Sequence, residues 1–283
     1  MAEAGKEKIG IVGVGRMGQA MVRHLLRNGY AVTGCDLDPK CCDATRAAGA
    51  TVVADPAAVG KAVKLAIVAV GYDHEASAVM LDANGLLATM GAGSVIAVSA
   101  TCTPEHVKML AAQAAAKGID VLDAPICRGA QAAVAGTMLS LMGGNQEVYD
   151  RCLPVYRTFC SDIRLLGDIG AGQFGKALNN FLLWVNGVAL IEAGRLSEAN
   201  GMDLVKLREA LLLSSGASDA LKNWDNVSFL WALKDMQIMS RMADSAGLSM
   251  PIAGAIKELV KDGRRIKTTN PPDWMGTGGK VGQ

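Results

Sequence analysis

Lys8-Ile-Gly-Ile-Val-Gly13-Val-Gly15-Arg-Met-Gly18-Gln-Ala-Met-Val-Arg-His-Leu-Leu-Arg-Asn-Gly29 decides the fold. It opens on a short β-branched run, turns on glycines, and continues with apolar residues at helical spacing until Asn-Gly closes the pattern. Strand, glycine turn and helix are the context that G-x-G-x-x-G, here Gly13, Gly15 and Gly18, needs if the turn is to hold a dinucleotide. The first glycine permits the tight turn, the second lets a pyrophosphate approach the backbone, and the third lets the helix pack closely on the strand. Amides near Arg16 and Met17 at the helix N-terminus would then face the phosphates.

Working outward, a second strand at 31–36 ends in Asp36, about 20 residues beyond the loop, where a carboxylate can accept both adenine-ribose hydroxyls. Asp38 follows two places later and no arginine follows Asp36 directly. Two carboxylates repel a 2′-phosphate, so the stretch favours NAD over NADP. The alternative for Asp36 is that it only begins the Asp-Leu-Asp-Pro turn. Further strands are expected at 50–53, 65–70, 94–98, 118–123 and 139–144, with Ala-rich helical patterns between them. Alternation of this kind implies an α/β fold, a Rossmann-type doubly wound, mostly parallel sheet. Val70, Ser99 to Thr101 and the stretch 125–129 should rim one crevice at the carboxyl ends of the strands.

Past Gly167 the pattern turns all-helical, with helices expected over 173–200, 203–214, 226–247 and 251–261, and a loose tail from Arg264. Two domains follow, 1–166 for the dinucleotide and 167–283 for substrate and oligomerisation, with the first long helix crossing the cleft. That helix opens with Gly170-Ala-Gly-Gln-Phe-Gly-Lys176-Ala-Leu-Asn179-Asn180. At roughly 100° per residue the lysine and both asparagines share a face, and an ammonium beside two carboxamides suits a carbonyl that becomes an alcohol. The same residues read equally well as a solvated first-turn lysine with surface amides.

Composition excludes several classes. Over 283 residues, 28 basic against 27 acidic side chains give no electrostatic reason for nucleic acid or an anionic membrane as partner. Hydrophobic residues make up 51%, yet no uninterrupted apolar run reaches the roughly 18 residues of a bilayer span. Seven cysteines without C-x-x-C pairing and three scattered histidines argue against a disulfide framework and against a metal site. The short charged start lacks a signal-peptide core, so a cytoplasmic location is expected.

Four motifs, in order, resemble the β-hydroxyacid dehydrogenase family. They are Gly13 to Gly18; Asp123-Ala-Pro-Ile-Cys-Arg-Gly129 with Gly136-Thr-Met and Met142-Gly-Gly144; Gly170 to Lys176 with Asn179-Asn180; and Lys234-Asp235-Met236. The resemblance reaches to about residue 260. It implies hydride transfer between a nicotinamide cofactor and a small hydroxy acid or semialdehyde, with Lys176 as general acid/base and Asn180, aided by Asn179, holding substrate. It further implies that Thr101 and Lys234 lie near the cofactor, that Asp235 supports the site, and that the enzyme is a homodimer or homotetramer.

Two departures qualify the match. The family's substrate loop reads Ser-Gly-Gly where this chain has Cys127-Arg128-Gly129, and a planar guanidinium there can clamp an anion bidentately. Arg128 pointing to solvent is the alternative. The family's Asp-x-Ser-Thr stretch is Val98-Ser-Ala-Thr101 here, which keeps only the threonine. The expected ligand is a small anionic aldehyde or hydroxy acid. The rival readings are an imine reductase, which usually lacks the lysine, and a dinucleotide-binding scaffold without chemistry.

Overall fold

A computed structural model describes residues 6–278. The chain forms two compact units, residues up to Lys176 and residues from Ala177 onward. In the first, the elements run β1 (Ile9–Val12), α1 (Arg16–Arg27), β2 (Val32–Cys35), α2 (Pro39–Ala47), β3 (Thr51–Val52), α3 (Pro56–Ala62), β4 (Leu65–Val68), α4 (Asp73–Leu81), β5 (Val95–Val98), α5 (Pro104–Ala115), β6 (Asp120–Asp123), β7 (Ile126–Cys127), α6 (Gly129–Ala135), β8 (Met138–Gly143), α7 (Gln146–Tyr156) and β9 (Cys160–Gly167). Then α8 (Ala171–Ala199) runs on into the second unit, followed by α9 (Leu204–Leu211), α10 (Asp219–Lys222), α11 (Ala232–Ala246) and α12 (Pro251–Thr269).

The first six strands are parallel in the order β3-β2-β1-β4-β5-β6. The order reverses between β1 and β4, the switch point beside which such sheets bind ligands. Alternation along each strand divides the core into two layers. Ile9, Ile11, Leu65, Ile67, Val95 and Ala97 pack with residues of α1, α6 and α7, whereas Val12, Ala66, Val68, Ile96 and Val98 pack with residues of α3, α4 and α5. Both faces are therefore dry, and each fully buried branched side chain contributes about 1.5–3 kcal/mol.

The far edge departs from the parallel pattern. β6 and β7 pair antiparallel with β8, and β9 adds to β8 in parallel. Neither β7 nor β9 was expected from the sequence. In β9 only Cys160 and Ile163 are buried, so its apolar alternation is too weak to read.

The first compact unit ends at Lys176 rather than at 166, because the opening turn of α8 packs on β6 and β8. A Cβ on Gly172 would meet the Leu141 carbonyl at 2.7 Å and the Asp123 carboxylate at 2.9 Å. The second unit is built around Trp184, Trp224, Phe229 and Trp274. Its termini correct the sequence reading. α11 begins at Ala232 rather than at 226, since Phe229 takes a left-handed φ of 56° that no helix accommodates.

The expected loose tail is held in place as far as Trp274, and its last residues, 279–283, lie outside the described residues. α12 continues to Thr269, and beyond it the fully buried Trp274 donates Nε1–H to the Leu190 carbonyl at 3.0 Å, while Trp224 Nε1–H reaches the Pro272 carbonyl at 2.9 Å. Among the described residues no helix is long and apolar enough to cross a membrane.

Candidate functional site

The glycine turn carries three separate constraints. Gly13 adopts φ 90°, and a Cβ there would meet the Ala69 carbonyl at 2.8 Å. Gly18 presses on the Gly13 carbonyl so closely that any side chain would displace it. Gly15 has nothing within 4 Å of its Cβ position and caps α1 with no side-chain hydrogen bond and no acidic residue in the first turn. The helix N-terminus therefore presents backbone N–H groups and a positive dipole end to open space, with Arg16 exposed and Met17 half-buried beside it.

Asp36 follows β2 directly and is half-buried. Its Oδ1 accepts from the Asp38 amide at 2.9 Å, and Asp38 in turn caps α2 by accepting from Lys40 N at 2.9 Å. Asp36 thus does begin the turn, and it also lines an open cleft of about 240 Å³ with Leu37, Pro39, Arg46 and Val52. Leu37 is wholly exposed there, an apolar surface suited to a flat ring. Val70 is half-buried just past β4, against the Gly13 turn, and Thr101 is half-buried just past β5.

The loop after β6 differs from expectation. Cys127 is 2% exposed, with its backbone paired to Leu139, so its thiol is a core group and not a substrate contact. Arg128 takes a left-handed φ of 78°. Its Nη1 donates to the Thr137 carbonyl at 3.1 Å, Ser161 Oγ at 3.0 Å and Asp162 Oδ2 at 2.7 Å. The bonds from Arg128 and Ser161 hold the Asp162 carboxyl below its usual range. Through Nη1 the guanidinium is thus tied to β9, and its side chain stays half-exposed. Gly129, with φ 68°, leaves open backbone next to it.

At the start of α8, Asp123 is fully buried and its Oδ2 accepts from Gly170 N at 3.1 Å and Gln173 N at 2.9 Å. The Gln173 side chain ties the same turn to the loop after β5, accepting from Cys102 N and donating to the Ala100 carbonyl, both at 2.9 Å. Lys176 is half-buried one turn further on. Farther along α8, in the second unit, Asn180 is 6% exposed and accepts from Asn179 Nδ2 at 3.1 Å, while Asn179 itself is exposed.

On α11, Lys234 Nζ lies 5.7 Å from the centre of the Trp231 ring, and the buried Asp235 accepts from Trp184 Nε1 at 2.9 Å. Asp235 therefore braces α11 against α8. The structure brings Gly13, Gly15, Arg16, Met17, Gly18, Asp36, Val70, Thr101 and Lys176 into the first unit, and places Asn179, Asn180 and Lys234 in the second. Gln173 was missed as a site residue. Its spacing one turn before Lys176 was visible, but its partners lie 71 and 73 positions away.

Comparison with known proteins identifies relatives of the chain. Residues 8–167 match the NAD-binding domain of 6-phosphogluconate dehydrogenase, and residues 170–270 match the NAD-binding region of NADP-dependent 3-hydroxyisobutyrate dehydrogenase. The NAD-dependent L-serine dehydrogenase of Pseudomonas aeruginosa is 32% identical over 216 residues, 76% of this chain and 72% of that protein. The 2-(hydroxymethyl)glutarate dehydrogenase of Eubacterium barkeri is 34% identical over 215 residues, 76% of this chain and 71% of the relative. In fold, the 3-hydroxyisobutyrate dehydrogenase of Mycobacterium tuberculosis superposes with a TM-score of 0.81 at 22% identity, over 94% of this chain and 95% of the other.

Proposed function

Because the chain belongs to the β-hydroxyacid dehydrogenase family, we propose that it interconverts a small anionic hydroxy acid and the matching semialdehyde, using a nicotinamide dinucleotide and Lys176 as general acid/base. The observation that carries the reading is the open glycine turn, a cradle at the N-terminus of α1 that a Cβ at Gly15 would fill. A bound nicotinamide cofactor supplies or accepts the hydride. Amides at Arg16 and Met17 hold its phosphates, and Asp36 keeps Oδ2 for the ribose hydroxyls. The carboxylates of Asp36 and Asp38 favour NAD over NADP, in line with the NAD dependence in the name of the Pseudomonas relative.

In the reducing direction Lys176 holds a proton at Nζ and passes it to the carbonyl oxygen as that oxygen gains charge; in oxidation it takes the proton from the hydroxyl. Asn180 is assigned to the same substrate, its carboxamide oriented by Asn179. Since Arg128 is tied to Asp162, the anionic end of the substrate is assigned to the open backbone at Gly129, and Arg128 to holding that loop. The reading includes a homo-oligomer, supported by the exposed Leu178, Leu182 and Leu196 along α8.

The deciding experiment follows NADH oxidation with glyoxylate and with tartronate, succinic, methylmalonic and sulfolactic semialdehydes, and NAD reduction with L-serine and 3-hydroxyisobutyrate. Lys176→Ala is expected to lose about a hundredfold or more in kcat, in the range of general acid/base effects. Full activity in that variant would remove Lys176 from the mechanism. NADH binding without turnover would favour a scaffold, and turnover of a cyclic imine would favour an imine reductase.

A further inference from the structure

The buried carboxylate of Asp123 sits where ordinary packing gives no reason for a charge. It is fully buried, Oδ2 accepts the Gly170 and Gln173 amides, and Oδ1 has no hydrogen-bond partner among the described residues. An unsatisfied buried oxygen is costly, and more so on an ionised group. A neutral side chain would serve the core better, so the carboxylate must do something at the one place it does make contact. That place is the opening turn of α8, whose orphan amides it caps from another element.

We propose that Asp123 is the positioning residue for Lys176, its ionised carboxylate fixing the first turn of α8 so that the lysine one turn on holds a single placement. The proposal rests on the assignment of Lys176 above. Gln173 completes the brace. Its amide binds Asp123, and its side chain binds Ala100 and Cys102, so the strand ends of β5 and β6 both grip the turn that leads to the lysine.

Desolvation raises the Asp123 carboxyl from its ordinary 3.8 to about 6, against the opposing pull of the Gln173 and Gly170 hydrogen bonds. Protonation therefore falls in an accessible range. The titratable groups facing this cluster are Tyr156 on α7, whose hydroxyl burial holds well above its usual range and which bonds Ser99, and Lys108 on α5, whose stem lies beside Gly170. Protonated Asp123 is a weaker acceptor, so its grip on Gly170 and Gln173 loosens below about pH 6.

The reducing direction separates the groups. There Lys176 donates its proton to the carbonyl, and the part of an acid limb that Asp123→Asn abolishes is the part that belongs to Asp123. Wild type should lose kcat as pH falls through about 6, with KM changed little. Asp123→Asn, a neutral isostere, should run at least about tenfold slower at pH 7.5 and show no acid limb. Since a fraction of an ångström to 1 Å of misplacement costs up to about a hundredfold, that size is reasonable.

A second readout needs no substrate. Hydrogen exchange at the Gly170 and Gln173 amides, corrected for intrinsic rates, should quicken in wild type below about pH 6 and be fast at every pH in Asp123→Asn. Exchange unchanged by pH and by substitution, or a variant with full kcat and an intact acid limb, would overturn the proposal. Lys176→Ala as active as wild type would instead sink the lysine assignment and leave the exchange result to judge Asp123 alone.

Discussion

Arg128 carries a β-carbon in the left-handed region, where glycine is at ease and other residues are strained. Replacing it with glycine removes that strain and also the bond to Asp162, whose members are both half-exposed. The two effects oppose each other, so Arg128→Gly is expected to shift Tm by no more than about 2–4 °C, the change that roughly 1 kcal/mol produces in a chain of this size. If the guanidinium clamps substrate directly, KM for the anion will instead rise by orders of magnitude with Tm unmoved.

The glycine turn gives a sharper pair. Gly15→Ala should fold with an unchanged melting curve and lose NADH binding by fluorescence titration, because its Cβ enters open space that the pyrophosphate needs. Gly18→Ala should be destabilised outright, because its Cβ meets the Gly13 carbonyl. The tight turn at Gly13 and the close packing at Gly18 were legible in the sequence, from their spacing between a strand and a helix. The ties of Arg128 were not, since its acceptor Asp162 lies 34 positions on.

Among the elements, α12 and the segment after it gave the largest correction. The chain from Arg264 was expected to be a loose tail, but Lys267 is 1% exposed, donates to the Trp224 carbonyl at 2.8 Å and lies 4.1 Å from the centre of the Trp224 ring. A charged residue in a helical pattern normally marks the wet face, and nothing local signals that an indole waits for this one. Burial lowers the Lys267 ammonium from 10.5 to about 8, with Asp225 pulling the other way.

The folded chain therefore gives up this proton more readily than the unfolded chain. The resulting penalty is fully present below about pH 8 and is relieved as pH rises from there toward 10.5. Urea midpoints of wild type measured against Lys267→Met should gain on the variant between pH 8 and 10; a constant difference would show that the lysine does not titrate there. Trp274→Ala should cost about 3–5 kcal/mol, the range for a large buried aromatic, and a loss below about 1 kcal/mol in chemical denaturation would mean that the segment is merely laid on the surface.

For the whole molecule, the sequence reading recovered the doubly wound sheet because β1, β2, β4 and β5 are buried at every residue, and short runs of that kind are readable. It failed at β7 and β9, where pairing depends on β8 and not on hydrophobicity. It placed the division of the chain at 166 rather than after Lys176, because the grip of Asp123 on α8 is a long-range bond without a local sign. Exposed leucines at 178, 182 and 196 recur on α8 at helical spacing. Leu182→Glu is expected to lower the mass seen by sedimentation to that of a single chain while leaving the helical content intact. A wild-type chain that already sediments as a monomer would dispose of the oligomer.

The seat of Gly13 on Ala69 also sets an order in time. The nucleotide turn belongs by sequence to residues 13–18, but its first glycine rests on backbone that follows β4, and β1 finds one of its two partners only at residues 65–68. During synthesis the early segment can form β1, α1 and β2 and still have no floor under the turn. Competence to bind a nucleotide therefore arrives with the fourth strand, and a ribosome stalled before residue 70 should display a chain with the whole fingerprint and no affinity.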